Sequence, residues 1–327
     1  MGRFSIYGIF SGKESPTLSE LAIDLSVQLG SLKLKNPVMV ASGPFGYGEE
    51  WLGLAPWEQL GALVLKTITP EPRAGNPPEH RCVETPAGML NSIGLENVGI
   101  DAFIAHKLPA ARQLGTTLIA SIGGKTVEDF VEVATKLEGV AGVAALEVNI
   151  SCPNVKAGGM AFGVIPEAAA EVTAAVKRVS SVPVIPKLTP NASDIAAVAV
   201  ACEQAGADAI ALINTISGMA IDIRSRRPLL GANFGGLSGA AVRPAALLRT
   251  YQVAQAVKIP VIGMGGIMRA EDALEFIIAG ATAVQVGTAL FIDPQAAHGV
   301  VRGIADYLAA NKLTLSELIG SLVLNPT

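Results

Sequence analysis

Apolar runs of strand length recur along this chain, and helix-like stretches separate them. The runs fall at 37–42, 62–67, 116–123, 144–151, 183–189, 209–214, 260–266 and 283–288. They are nearly continuous in hydrophobic residues, as in AIALI at 209–213. Strands buried on both faces of a parallel sheet read this way. Between the runs, 101–114, 126–137, 166–179, 193–205, 244–257, 270–279 and 294–310 are rich in Ala, Leu and Glu. Several of these open on Pro, Thr, Ser or Asp, residues favoured where helices start. The stretch 51–60 carries the weakest helical pattern. Eight strand–helix alternations predict βαβ units and an α/β fold, closed into a (β/α)8 TIM barrel rather than left as an open sheet. Residues 25–36, LSVQLGSLKLKN, predict an N-terminal β-hairpin placed to plug the barrel floor.

Composition decides between two explanations of the apolar runs. Half the residues are hydrophobic, 16% are charged, and mean hydropathy is +0.46. Membrane spans need about 20 consecutive apolar residues, and no run here is that long. Buried parallel strands account for the hydropathy, and no membrane association is expected. Residues 25–327 are expected to form a single domain. Residues 1–24, with Gly12, Ser15, Pro16 and Ser19, read as a mobile leader without the basic and apolar segments of a secretory signal.

Charge and cysteine content narrow the function classes. Net charge is −4, and apart from Arg224-Ser-Arg226-Arg227 the basic residues are dispersed, so no nucleic-acid surface is expected. The three cysteines, Cys82, Cys152 and Cys202, stand far apart with no CxxC. They exclude a four-cysteine zinc or iron–sulfur site within this chain and fit a reducing cytoplasm. His80, His106 and His298 have no metal-ligand spacing, and no metal is expected.

Chemistry gathers at the strand ends. The eight runs finish at Ser42-Gly43, Lys66-Thr67, near Ser121, at Asn149-Ile150-Ser151-Cys152, at Lys187, at Asn214-Thr215, at Gly265-Gly266 and at Gly287-Thr288. In a barrel these ends share one rim, where catalytic residues sit. The pairs Gly265-Gly266 and Gly287-Thr288 follow strands seven and eight, where barrels often bind phosphate through loop amides and a helix N-terminus. Gly235-Gly-Leu-Ser-Gly239 adds another close-approach loop. No Gly-x-Gly-x-x-Gly follows a strand, so a flavin phosphate suits a redox reading better than a nicotinamide. Lys187, alone in VIPKL, has two readings. It is either a cation beside an electron-accepting ring or a lysine snorkelling to the rim. The same pair applies to Lys66. Two long Gly-rich connections, 152–166 and 215–244, are expected to be functional loops on the catalytic face.

Several motifs together resemble one family. EVNISCPNVKAGGMAFG at 147–163, KTITPEPRAGNPP at 66–78, MLNSIGLEN at 89–97, INTISGMAID at 213–222, GGLSG, IGMGGI and VQVGTALF resemble class 1 dihydroorotate dehydrogenases, the NAD-linked 1B type in particular. The match runs in order from about residue 25 to about residue 320.

The resemblance implies oxidation of (S)-dihydroorotate to orotate in pyrimidine biosynthesis. Cys152 would take the C5 proton, and hydride would pass from C6 to FMN. Lys66, Asn91, Ser92, Ile93, Gly94, Leu95, Asn149, Asn154, Asn214 and Thr215 would line the substrate. Amide side chains both donate and accept, which suits a ring of alternating N–H and C=O. Ser42, Lys66, Thr67, Ser121, Asn149, Lys187, Ile213, Gly239, Gly265, Gly266, Gly287 and Thr288 would hold FMN. The loop 152–163 would act as a lid. Ala157 stands where the family often has histidine, and the leader is longer than the family's.

The 1B resemblance also implies a homodimer core flanked by subunits carrying FAD and a 2Fe–2S cluster, a heterotetramer that passes electrons to NAD+. Near neighbours are a dihydropyrimidine dehydrogenase-like flavin reductase and a fumarate-linked class 1A enzyme. From another class, a non-redox phosphate-binding barrel shares the glycine signals.

Overall fold

The computed structural model describes residues 23–151 and 162–326. Its strands in chain order are β1 (Val27–Leu29), β2 (Leu32–Leu34), β3 (Val38–Val40), β4 (Ala62–Ile68), β5 (Cys82–Thr85), β6 (Gly88–Asn91), β7 (Thr117–Ile122) and β8 (Ala145–Asn149). They continue with β9 (Val184–Leu188), β10 (Ile210–Leu212), β11 (Ile216–Gly218), β12 (Ile221–Asp222), β13 (Arg227–Pro228), β14 (Gly235–Ser238), β15 (Val261–Met264) and β16 (Ala283–Val286). Eight of them close a barrel in the order β3-β4-β7-β8-β9-β10-β15-β16, and every neighbouring pair is parallel. The fold is a (β/α)8 barrel, and each of the eight expected runs supplies one strand.

Barrel closure explains the unbroken apolar runs. Inward side chains pack against each other, and outward ones meet the surrounding helices, so β8, β9, β10, β15 and β16 are buried at every position. The helix Val127–Leu137 buries Phe130, Val133, Ala134 and Leu137, one face at helical spacing. Thr126 starts it with a capping box shared with Asp129.

At the floor, β1 and β2 form the expected hairpin. Leu29 and Leu34 are fully buried. Gly30 in its turn sits so close to Asp208, just ahead of β10, that an added Cβ would lie 2.7 Å from the Asp208 Cβ.

Two regions differ from the sequence expectation. The stretch 51–60 forms two short 3-10 turns, Glu49–Trp51 and Trp57–Gln59. Gly53 is left-handed at φ 77 and Pro56 removes an amide, so no helical ladder propagates. Aromatic packing takes the helix's place: the Trp57 ring lies 5.0 Å from Phe45 and 5.8 Å from Trp51, and its Nε1 donates to the Trp51 carbonyl at 2.7 Å. The long connection 215–244 is not plain loop. It contributes β11 and β14 to a four-stranded sheet, β11-β14-β6-β5, and folds β12 onto β13. Among the described residues no helix is long and apolar enough to cross a membrane.

Candidate active site

A chain of side-chain hydrogen bonds crosses the strand ends. Strand side chains alternate in and out, and the inward ones of alternate strands meet inside a barrel. Asn149 at the end of β8 donates from Nδ2 to Thr67 Oγ1 on β4 at 3.0 Å, reaching over β7. Thr67 Oγ1 lies 2.9 Å from Ser121 Oγ on β7. Ser151 Oγ donates to Asn149 Oδ1 at 2.9 Å and accepts from Asn214 Nδ2 at 2.8 Å, reaching over β9. Asn214 Oδ1 accepts from the Thr215 amide at 2.8 Å. Ser121, Thr67, Asn149 and Ser151 are all buried.

One layer below lies a second cluster. Glu147, two residues before Asn149 and on the same face of β8, is 1% exposed. Its Oε1 accepts from Lys187 Nζ at 3.3 Å and its Oε2 from Gln285 Nε2 at 2.8 Å. Lys187 is the register partner of Asn149. The snorkelling reading of Lys187 therefore fails: its side chain is 7% exposed and ion-paired inside the barrel. The carbonyl oxygen of Gln285 is buried without a partner among the described residues.

The four-stranded sheet brings further residues to this rim. Asn91 on β6 donates from Nδ2 to the Gly236 carbonyl on β14 at 3.3 Å. Gly236 abuts Thr215, where an added Cβ would lie 2.0 Å from Oγ1. Residues 92–95 leave β6 in a loop tied to Asn76. The Asn76 amide donates to the Ile93 carbonyl at 3.0 Å, and its Nδ2 donates to the Ser92 carbonyl at 2.8 Å. Gly94 and Leu95 are both left-handed. Lys66 is half-buried beside Thr67, and its ammonium has no hydrogen-bond or ion-pair partner among the described residues.

Across the mouth, Thr288 Oγ1 donates to Ser238 Oγ at 2.9 Å, one residue before Gly239. Gly287 and Thr288 follow β16. Gly265 and Gly266 follow β15 at φ 121 and 80, ahead of the helix Ala270–Ile278. Both need glycine: a Cβ on Gly266 would lie 2.7 Å from the Arg243 Cβ and 2.8 Å from its amide nitrogen. Ile213 is buried; its amide donates to the Met264 carbonyl at 3.2 Å, and a Cβ on Gly265 would lie 3.4 Å from its Cγ1. Ser42 is buried in the short turn Ser42–Phe45 after β3.

Residues 24–308 match the dihydroorotate dehydrogenase family. The chain belongs to that family. Among its relatives, a chain from Geotalea daltonii is 56% identical over 300 residues, 91% of this chain and 98% of the relative. One from Desulforamulus reducens is 53% identical over 302 residues, 92% and 99%. One from Geobacter sulfurreducens is 54% identical over 300 residues, 91% and 98%. Each is named the catalytic subunit of dihydroorotate dehydrogenase B (NAD(+)).

In this dihydroorotate dehydrogenase family member, the expected residues Thr67, Ser121, Asn149, Asn214 and Thr215 form one connected array, and Asn91 joins it through Gly236. Lys187, the register partner of Asn149, adjoins it on β9. Gly239, Gly265, Gly266, Gly287 and Thr288 stand at the ends of β14, β15 and β16. Ser42 and Lys66 share the rim without bonding to the array. Cys152 and Asn154, with the 152–161 part of the expected lid, lie outside the described residues, as do residues 1–22 of the expected leader.

The sequence reading missed Glu147, Ser151, Ser238 and Gln285. Glu147 carried a signal: it is a lone charge in ALEVN, two residues from Asn149, just as Lys187 is in VIPKL. Two opposite charges on adjacent apolar strands would each be costly to bury alone. Gln285 carried a weaker one, a single amide in AVQV.

Proposed function

We propose that this chain is an FMN-dependent dihydroorotate dehydrogenase, oxidising (S)-dihydroorotate to orotate in pyrimidine biosynthesis. The observation that carries the reading is the array of Asn149, Asn214, Thr215 and Asn91 assembled beside the buried Lys187. Amides and hydroxyls can each donate or accept, so together they match a flat ring edged by alternating N–H and C=O groups and a carboxylate.

The residues present also fit FMN. The glycine pair Gly265-Gly266 lets the backbone approach an anion closely, and the Thr288 and Ser238 hydroxyls border the same side. The orphaned Gln285 carbonyl and the buried Lys187 ammonium supply an acceptor and a cation below the mouth. Gly239, Gly265, Gly266, Gly287 and Thr288 would hold the phosphate side, and Ser42, Lys66, Thr67, Ser121, Asn149, Lys187 and Ile213 the ring side. FMN, when bound, supplies the acceptor for the two electrons leaving the substrate.

The chain's own residues do the rest. Asn91, Asn149, Asn154, Asn214 and Thr215 fix the pyrimidine ring and its carboxylate, with residues 92–95 closing one side. The Cys152 thiolate takes the proton from C5 as the C6 hydrogen departs with its electron pair. An ordinary thiol, with pKa about 8.5, is only a few per cent thiolate at neutral pH, so activity rises toward alkaline pH unless the site depresses that value. The loop 152–163 would serve as the lid that keeps water out.

The electrons then leave through a partner. Three cysteines cannot hold a four-cysteine cluster. A second subunit carrying FAD and a 2Fe–2S cluster would pass the electrons to NAD+, around a homodimeric core of this chain in the cytoplasm.

One experiment tests the core of this reading. The purified chain is expected to be yellow and to bleach on anaerobic addition of dihydroorotate. A colourless protein that takes up no FMN, or a flavin that dihydroorotate leaves oxidised, overturns it. Cys152→Ala is expected to keep FMN and to slow bleaching by about a hundredfold or more. Unaltered bleaching would remove the cysteine from the base role.

A further inference from the structure

Glu147–Lys187 is the ion pair with both partners buried among the described residues; every other pair has at least one partner reaching solvent. Bracing the barrel is a poor reason for it. Desolvating two charges costs several kcal/mol per ion, and apolar residues of similar size are often as stable. Its placement is also specific. In the barrel order, β8 and β16 stand four strands apart in either direction. The Glu147–Gln285 bond therefore spans the bore between opposite walls, fixing the carboxylate from the far side. With its other oxygen the same carboxylate holds Lys187. Glu147 lies one layer below Asn149, Lys187 is in register with Asn149, and Gln285 keeps its own carbonyl unpaired among the described residues.

We propose that Glu147 is a positioning residue that fixes the Lys187 ammonium under the mouth and offsets its charge, thereby setting the redox potential of the bound flavin. This rests on the reading that the mouth takes FMN. A lone ammonium beneath the ring would favour the electron-rich reduced form strongly. A carboxylate 3.3 Å from that ammonium reduces its field to that of a dipole, which falls off faster with distance than a single charge. Gln285, braced from the opposite wall, keeps Glu147 from following Lys187 toward the mouth.

The test is the midpoint potential of the FMN-loaded full chain, read by dye-coupled spectrophotometric titration. Glu147→Gln keeps the shape and leaves the ammonium unbalanced. The reduced flavin is expected to gain at least tenfold over the oxidised form, a rise of about 30 mV for a two-electron couple. Lys187→Gln leaves the carboxylate unbalanced, and the potential is expected to fall. The double variant carries neither charge and is expected to return toward the parent value, and Glu147→Asp to stay near it. Should Glu147→Gln not fold, the single Lys187 variant and the double variant decide between them. A Glu147→Gln potential equal to the parent's, with only thermal stability altered, would reduce Glu147 to a barrel brace. Failure of the parent chain to bind FMN at all would instead sink the cofactor reading beneath it.

Discussion

Four buried or half-buried asparagines divide into two kinds, and the division separates scaffold from site. Asn36 accepts from the amides of Val38 and Gly61 at 3.1 and 3.0 Å and donates to the Gln59 carbonyl at 2.8 Å. Asn97 accepts from the amides of Thr69 and Gly99, donates to the Leu95 carbonyl and also bonds the Thr69 hydroxyl. Both tie backbone amides and carbonyls where loops leave or enter strands. Asn149 and Asn214 bond chiefly to side chains, Thr67 and Ser151, that themselves stand at the mouth, although Asn214 also accepts from the Thr215 amide. Side chain to side chain bonds are only about 10–15% of those in proteins, so a run of them on one rim marks polar groups held ready rather than spent on the fold. The same amide group ties backbone in one place and links polar side chains at the mouth in the other.

Substitutions can break this contrast. The largest effect is expected from Asn149→Ala and Asn214→Ala: flavin bleaching by dihydroorotate should slow by about a hundredfold or more. Urea unfolding should move by about 1–3 kcal/mol at most, the cost of leaving their partners unsatisfied, while the rate per folded molecule carries the main effect. A stability loss that outweighs the rate loss would place these two with the scaffold. Asn36→Ala should do the reverse, costing about 1–3 kcal/mol through its orphaned backbone partners, while the rate per folded molecule changes little. Gly266→Ala tests the glycine pair. A left-handed φ of 80 and a Cβ pressed on Arg243 should cost about 1–3 kcal/mol, and the flavin-to-protein ratio after gel filtration should drop.

The smallest effect is a sharpening by pH. Burial pushes the Cys202 thiol up to about 11 and the Tyr47 phenol up to about 12. Both groups ionise in the unfolded chain first, so their stability contribution is complete below pH 9.0, where the free thiol begins to titrate. It drains away as pH climbs toward those folded values. Urea midpoints should fall above pH 9.0, and a flat profile would refute the assignment. Cys82 is exposed and should react with a thiol reagent well before Cys202, as peptide mass spectrometry would show.

How much was legible follows from how local each feature is. Each barrel strand lies in a single apolar run, and the rim residues Thr67, Ser121, Asn149 and Asn214 terminate or follow such runs. Parallel closure then brings those ends to one side without further information. The 51–60 turns escaped because Gly53 and Pro56 break a pattern that three aromatic rings then repack. Strands β11 and β14 escaped because ISG and GGLS carry little strand propensity; they pair through β6, which lies more than a hundred residues earlier in the chain. Asn36 and Asn97 could not be told from Asn149 by residue type at all.

By itself the sequence determined the barrel, its rim and the polar groups on that rim, because period and strand-end chemistry are written in neighbouring residues. Only the tertiary structure decided what those groups do to one another. Glu147 and Gln285 are 138 residues apart, and nothing near either residue announces the other. They meet because closing the barrel sets β8 and β16 face to face. A buried charge is tolerable only with its partners in place, and closure is what supplies them.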